Sequence, residues 1–189
     1  NKNFLTQNLR KERLLKKLGN VSFKIITDQV ETKNLIEELI RQKNIRLKSQ
    51  GIQNLFKTED VNFYNSFENN NSKKIKIHLC SLTLNDELIA IHWGVIYKNR
   101  FYYLLLSMKE ESFGRYSPGR LLISSMIKWC IENKIQIFDF TLGSEEYKKS
   151  WSNDKSILFN YLKLNNVKGF IFYLMIKIKL ILKSFKGNR

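Results

Sequence analysis

Between Phe113 and Trp151 the chain reads FGRYSPGRLLISSMIKWCIENKIQIFDFTLGSEEYKKSW, and most residues able to do chemistry fall within it. The loop Gly114–Arg120 sets Arg115, Ser117, Pro118, Gly119 and Arg120 directly ahead of an apolar-periodic run. A helix N-terminus offers unpaired N–H groups and a partial positive charge, which suits a phosphate. Gly119 permits close backbone approach. Pro118 presets φ at the helix start, where its missing N–H costs nothing. Ser117 can cap the helix or touch an oxygen, and the two arginines add charge for phosphate pairing. The same residues also describe a plain helix start with a serine cap and an early proline, and the loop alone leaves both readings open. Pro118 is the only proline in the chain, so the backbone is fixed here for a local reason.

Four further residue types attract attention. Asp139 stands in an otherwise apolar strand, where a carboxylate is costly unless paired. Burial would raise its pKa and make it a base or a grip for an amine; an ion pair with Lys148 would make it structural. His92, between Ile91 and Trp93, titrates near neutrality and reads either as a base or as a core imidazole. Lys148 and Trp151 suggest a stacking and charge platform for a sugar or nucleotide, or a plug for the sheet. His78 and His92, with Cys80 and Cys130 scattered, lack the spacing of a usual zinc site, so no metal is expected. Neither cysteine lies in a CxxC pair; both read as buried core residues, and a reducing cytoplasm is the default compartment. No GxSxG, Walker loop or Rossmann fingerprint occurs.

The elements that must position these residues follow from periodicity. The 189 residues are 43% hydrophobic and 13% aromatic, enough for one domain with a real core and too apolar for a disordered chain. The net charge of +16 points to a polyanionic partner such as nucleic acid, a membrane surface, a phosphate-rich cofactor or an acidic glycan, although drift toward Lys, Asn and Ile also contributes. Residues 1–20 hold a basic helix, Gln7–Leu18, touching an anion, lying on the surface, or packed against an upstream part. Val21–Thr27 is a strand, and Asp28 with Glu31 has capping-box spacing ahead of a helix over Thr32–Ile45 that Gln50–Gly51 ends. A short helix is expected at Asp60–Phe67 and a polar loop at Asn69–Lys74. Ile75–Leu84, Glu87–Tyr97 and Arg100–Ser107 alternate and are joined by two-residue polar turns, which predicts an antiparallel meander. Ser117–Asn133 is a helix burying Leu121, Leu122, Met126, Ile127, Trp129, Cys130 and Ile131. Ile135–Leu142 is expected as a strand buried on both faces and parallel to its predecessor. Glu145–Trp151 is a short helix or turn and Ser156–Leu164 a last strand. Val167–Phe185 is apolar but dotted with lysines, too short in its uninterrupted runs to span a membrane, and reads as an interfacial or docked helix.

This order resembles the α/β GNAT acyl-CoA N-acyltransferase fold: a mixed sheet with an antiparallel meander, flanking helices and a C-terminal amphipathic helix. YSPGRLL at Tyr116–Leu122 and FDFTLGSEEYKKSW at Phe138–Trp151 carry the resemblance, with a weaker echo in NLRKERLLKKL. The likeness is greatest to the cellulose-biosynthesis CelD/BcsL acetyltransferase group and the related FemAB-like proteins, and it spans Asn8 to Leu164. Against the general Q/R-x-x-G-x-G/A loop, Gly119 takes the last glycine, but Ser117 stands at the first and Gly114 at the basic position.

The resemblance implies an acyltransferase domain over residues 21–164 and a basic amphipathic helix over 167–189. It implies an upstream related domain to which residues 1–20 form the junction. Backbone amides of Tyr116, Ser117, Pro118, Gly119, Arg120, Leu121 and Leu122 (Pro118 contributing only its shape), with Arg115 nearby, would hold the pyrophosphate of acetyl-CoA. Leu105, Leu106, Ser107 and Met108 would pair with its pantetheine arm. Tyr147, which also reads as a core or rim aromatic, falls where the family often places a thiol-protonating tyrosine, and Asp139 and His92 are the candidate bases. The acceptor implied is an amine of an amino sugar or cell-surface glycan precursor, met in the cytoplasm or at the inner face of an anionic membrane. Two rivals remain: a FemAB-like transferase using aminoacyl-tRNA, for which the positive charge would hold tRNA, and a non-catalytic membrane-surface adaptor.

Overall fold

Three long strands, β2 (Ile75–Leu84), β3 (Glu87–Tyr97) and β4 (Arg100–Met108), make the meander at the centre of the sheet. Their two turns place Asn85, Asp86, Lys98 and Asn99 at φ between 47° and 65°, the left-handed geometry that matches a tight hairpin to strand twist. The computed structural model describes residues 2–53, 55–67, 74–143, 145–159, 161, 163 and 165–186. The chain forms two compact units, Asn1–Trp151 and Ser152–Arg189.

The first unit opens with helix α1 (Lys2–Lys16), followed by β1 (Val21–Ile26), α2 (Gln29–Ser49) and α3 (Thr58–Ser66). After the meander come a one-turn helix α4 (Glu110–Phe113), a 3-10 turn (Gly114–Tyr116), α5 (Pro118–Glu132), β5 (Ile137–Asp139) and α6 (Glu146–Trp151). The strands lie in the order β1-β2-β3-β4-β5. All neighbours are antiparallel except β4 and β5, which run parallel as the connecting helix requires. Asp28 caps α2 by accepting the Glu31 N–H at 2.8 Å, while the Glu31 carboxylate turns to Lys24 at 2.7 Å instead of closing a capping box.

Apolar residues sort onto two faces. One core joins Cys80, Leu82, Ile89, Phe101 and Tyr103 of the sheet to Leu121, Leu122, Met126 and Cys130 of α5, and includes Leu15 of α1. The other joins Leu79, Ile91, Trp93 and Leu105 to Ile36, Leu39 and Ile40 of α2. Leu15 is fully buried, so α1 is packed into the domain along part of its length.

Three expectations are corrected. Ile131 is 71% exposed and does not belong to the buried face of α5. The strand predicted over Ile135–Leu142 shortens to Ile137–Asp139 at the sheet edge, with Ile137 exposed. Its apolar content serves an aromatic cluster instead: Phe138 stacks on Phe101 at 4.8 Å, and Phe140 packs against Tyr103 at 5.3 Å. No strand forms among the described residues of Ser156–Leu164; Asn160, Leu162 and Leu164 lie outside them. The loop predicted at Asn69–Lys74 also lies outside them, Lys74 excepted.

The second unit contains α7 (Val167–Lys186). No helix among the described residues is long and apolar enough to cross a membrane.

Candidate active site: the open half of β4

The parallel β5 pairs only with Arg100, Phe101 and Tyr102. From Tyr103 to Met108, β4 has β3 on one side and no strand on the other among the described residues. Within this half the register slips between Trp93 and Gly94: Trp93 faces Leu105, Gly94 faces Tyr103, and Leu104 bulges out of the pairing. An unpaired strand edge exposes N–H and C=O groups that demand partners. Two are met locally. Thr141 Oγ1 donates to the Tyr103 carbonyl at 3.0 Å, and Lys43 Nζ donates to the Leu106 carbonyl at 3.1 Å.

The N-terminus of α5 meets β4 at its far end. A Cβ built on Gly119 would lie 2.9 Å from Met108 Sδ and 3.0 Å from Leu106 Cδ2, so the glycine is what lets the helix start approach the strand. Ser117 precedes it in the left-handed region, with φ 55° and ψ 56°. Such a conformation in a non-glycine residue costs about 1–3 kcal/mol and is often kept at functional positions. The expected side-chain cap is absent: Ser117 makes no such hydrogen bond. Its carbonyl instead accepts the N–H groups of Arg120 and Leu121 at 2.9 and 3.2 Å. Pro118 has no N–H, and the Gly119 N–H has no backbone partner among the described residues.

The two arginines part company. Arg115 is exposed, with its guanidinium over the Tyr116 ring at 4.6 Å. Arg120 turns to α1 and stacks on Phe4 at 4.4 Å, and burial holds its pKa below the usual value. Phe4 in turn meets the Trp151 ring edge-on at 4.8 Å. Trp151 is thus packed inward, and its indole nitrogen is buried without a partner among the described residues. Lys148 is buried too; it donates to the Leu142 carbonyl at 2.5 Å and pairs with Glu145 at 2.9 Å. The platform expected of Lys148 and Trp151 does not form.

At the near end of the open half, Tyr103 lies near Tyr147, and burial, then the neighbouring Tyr147 hydroxyl, raise the Tyr103 pKa. Tyr147 is partly exposed, and Tyr103 is buried. Asp139 lies beyond, opposite Tyr102 in the register. Its Oδ2 accepts from Arg100 at 2.8 Å and its Oδ1 from the Thr141 N–H at 2.7 Å. The expected ion pair with Lys148 is replaced by one with Arg100, because parallel pairing brings the start of β4 beside β5. Six residues of strand separate Tyr102 from Met108, about 20 Å at 3.3 Å per residue, so Asp139 and the α5 N-terminus mark opposite ends of β4. His92 is fully buried, its ring stacked on Tyr103 at 4.6 Å and on Phe101 at 5.6 Å. Burial drives its pKa well below the usual histidine value. A base must reach its substrate, and the structure makes His92 a core residue instead.

The structure adds residues that the sequence reading passed over. Lys43 extends the Ile36–Leu39–Ile40 stripe of α2, so a cation on an apolar helix face was the available signal. Burial, then the neighbouring Arg46, hold its pKa below the usual lysine value. Beside it, Ser107 Oγ donates to Gln42 Oε1 at 3.1 Å, and Gln42 Nε2 donates to Glu38 at 2.8 Å, which fixes the side of β4 facing α2. Arg46 reaches Glu110 at 3.4 Å across the end of the strand. Leu104 and Thr141 carried no signal at all, since a bulge and a divergence depend on register.

The residues suit a CoA-like molecule on three grounds: a free strand edge, a helix start cleared by Gly119, and an N–H there with no backbone partner among the described residues. Residues 2–149 match the acetyltransferase (GNAT) domain family. Among solved structures the fold is similar to an aminoglycoside acetyltransferase from an uncultured soil metagenomic sample, in complex with sisomicin. That match has 12% identity and a TM-score of 0.51 and covers 77% of this chain and 97% of that one. It is also similar to a possible acetyltransferase from Clostridium difficile 630, at 9% identity and a TM-score of 0.56, covering 77% and 99%. No curated protein matches the sequence. With the family matched across the whole of the sheet and its helices, the chain belongs to the GNAT acetyltransferase-domain family and is an acyltransferase that takes its acyl group from acetyl-CoA.

Proposed function

We propose that this enzyme transfers an acetyl group to the primary amine of an amino sugar or cell-surface glycan precursor, with the donor laid along the open half of β4. The single observation that carries the donor's position is the strand edge that loses its parallel partner after Tyr102 and meets the α5 N-terminus at Met108. In this reading the N–H of Gly119 and its neighbours in Tyr116–Leu122 receive the pyrophosphate, with Arg115 adding charge from the surface. Leu105–Met108 offer backbone groups to the amides of the pantetheine arm, as an open sheet edge does for a peptide. The thioester then lies toward Tyr103 and Tyr147. Tyr147 protonates the departing thiolate, with Tyr103 beside it. Asp139, with both oxygens engaged, holds the point where β4 and β5 diverge. The amino-sugar acceptor, and with it a place in the CelD/BcsL group, draws on the loop and aromatic-basic motifs at Tyr116–Leu122 and Phe138–Trp151; a fold-level neighbour that binds sisomicin is compatible with it.

Thiol release from acetyl-CoA over a panel of glucosamine, aminoglycosides and simple alkylamines tests the proposal. Turnover on amino sugars at least about tenfold faster than on alkylamines is expected, a difference of about 1.4 kcal/mol in transition-state binding. Equal rates would remove the acceptor assignment. Salt-sensitive tRNA binding without CoA binding would remove the donor assignment and favour the FemAB-like reading.

One observation also favours a membrane surface as the place of action. Residues 155–189 contain eight Lys or Arg and no Asp or Glu, in a segment otherwise rich in Ile, Leu and Phe. A basic amphipathic helix of this kind binds anionic lipid. Co-sedimentation with phosphatidylglycerol vesicles that vanishes when residues 152–189 are removed is expected; equal sedimentation of the shortened chain would refute the placement.

A further inference from the structure

Beneath the sheet, on the α5 side, lies a group of side chains that the acyl-transfer reading does not use. His78 and Cys80 are two residues apart on β2 and therefore share a face. His92 of β3 sits directly opposite Cys80, and Gly94 directly opposite His78. Three corners of this square carry a metal-ligating side chain and the fourth carries none. A Cβ on Gly94 would lie 2.6 Å from His92 Cε1, so the glycine makes the room that the imidazole occupies. Ligand atoms of His78, Cys80 and His92 all lie within 4.8 Å of one another. His78 is 2% exposed, and Cys80 and His92 are fully buried.

The imidazole nitrogens of this group lack partners among the described residues. Both ring nitrogens of His78 and both of His92 are buried with no hydrogen bond among the described residues. A neutral imidazole carries one donor and one acceptor. Leaving four such atoms unpaired in an apolar core is a large, concentrated cost. The surrounding rings offer no relief: Trp129 lies 4.5 Å and Phe101 5.0 Å from the His78 ring, and Tyr103 covers His92.

We propose that His78, Cys80 and His92 form a closed structural site for a single copper(I) ion. Two imidazoles and one thiolate are a soft donor set, and three ligands satisfy copper(I), whereas structural zinc asks for four. The Cys80 thiol loses its proton to solvent when the metal binds, and no electron is transferred. Small side-chain rotations would draw the ligand atoms, which lie within 4.8 Å of one another, onto one ion. The core is sealed, so the ion enters while the chain folds and then holds β2 to β3 beneath the sheet. The site is independent of the acyl donor.

The test is refolding of the full chain under anaerobic conditions with copper(I), in competition with bicinchoninate. The expected result is one copper per chain and an X-ray absorption spectrum fitted by two nitrogens and one sulfur. Cys80→Ala and His92→Gln, each checked for folding by circular dichroism, are expected to lose at least about 100-fold in copper affinity, about 2.7 kcal/mol. The spectrum of the unaltered protein decides the matter even if both variants misfold. No copper retained against the competitor, a spectrum without sulfur, or folded variants that bind as the parent does would each overturn the proposal. Zinc held with four ligands under the same conditions would also overturn it.

Discussion

The first three residues of β4 and the last six differ in what lies beside them. Arg100–Tyr102 are paired on both sides, by β3 and β5, and the junction is tied by Arg100, Asp139 and Thr141. Tyr103–Met108 are paired on one side, and their free carbonyls borrow a threonine hydroxyl and a lysine ammonium. One strand is thus structural at its start and available at its end. The parallel crossover through α5 creates both halves at once, because the same helix that brings β5 alongside the start of β4 places its own N-terminus at the end.

Four substitutions bear on this division. Gly119→Trp fills the gap between α5 and the open half. CoA affinity is expected to fall at least about 100-fold, or about 2.7 kcal/mol, by isothermal titration; an unchanged affinity would detach the helix start from the donor. Tyr147→Phe keeps the ring and removes the hydroxyl that would protonate the thiolate. It is expected to lower kcat about 100-fold while CoA binding stays near parental. Loss of CoA binding with kcat preserved would turn Tyr147 into a binding residue. Asp139→Asn breaks the tie in the closed half. Its main effect is expected in thermal unfolding, about 1–2 kcal/mol for a partly exposed charge-assisted contact, with kcat little changed. A fall in kcat at constant Tm would restore Asp139 as the base that the sequence suggested. Lys43→Met frees the Leu106 carbonyl, for which the donor's amides compete. CoA binding is expected to tighten by less than about tenfold, the worth of one net hydrogen bond. A large loss would place Lys43 among the groups that hold the donor.

The sequence showed the closed architecture better than the open one, for a physical reason. The meander strands were legible almost to the residue because alternation and two-residue polar turns are local signals, and both turns adopt the expected left-handed geometry. The Pro118–Gly119 helix start was legible for the same reason. What failed depended on distant partners. Arg120 points to Phe4, more than a hundred residues away along the chain, and no motif announces such a stack. Asp139 meets Arg100 because of a parallel register that spacing alone cannot supply. The run Ile135–Leu142 looked like a buried strand because Phe138 and Phe140 are apolar, yet their burial comes from Phe101 and Tyr103 rather than from neighbours on both sides. His92 looked poised for chemistry in a strand whose inward direction was not readable.

Amide hydrogen exchange, followed by mass spectrometry with and without CoA, compares the two halves of β4 in one experiment. Added protection at Leu104–Met108 and at Gly119–Leu121, with Arg100–Tyr102 unchanged, is the predicted outcome. Protection confined to Arg100–Tyr102, or none in β4 at saturating CoA, would contradict the placement of the donor on the open half.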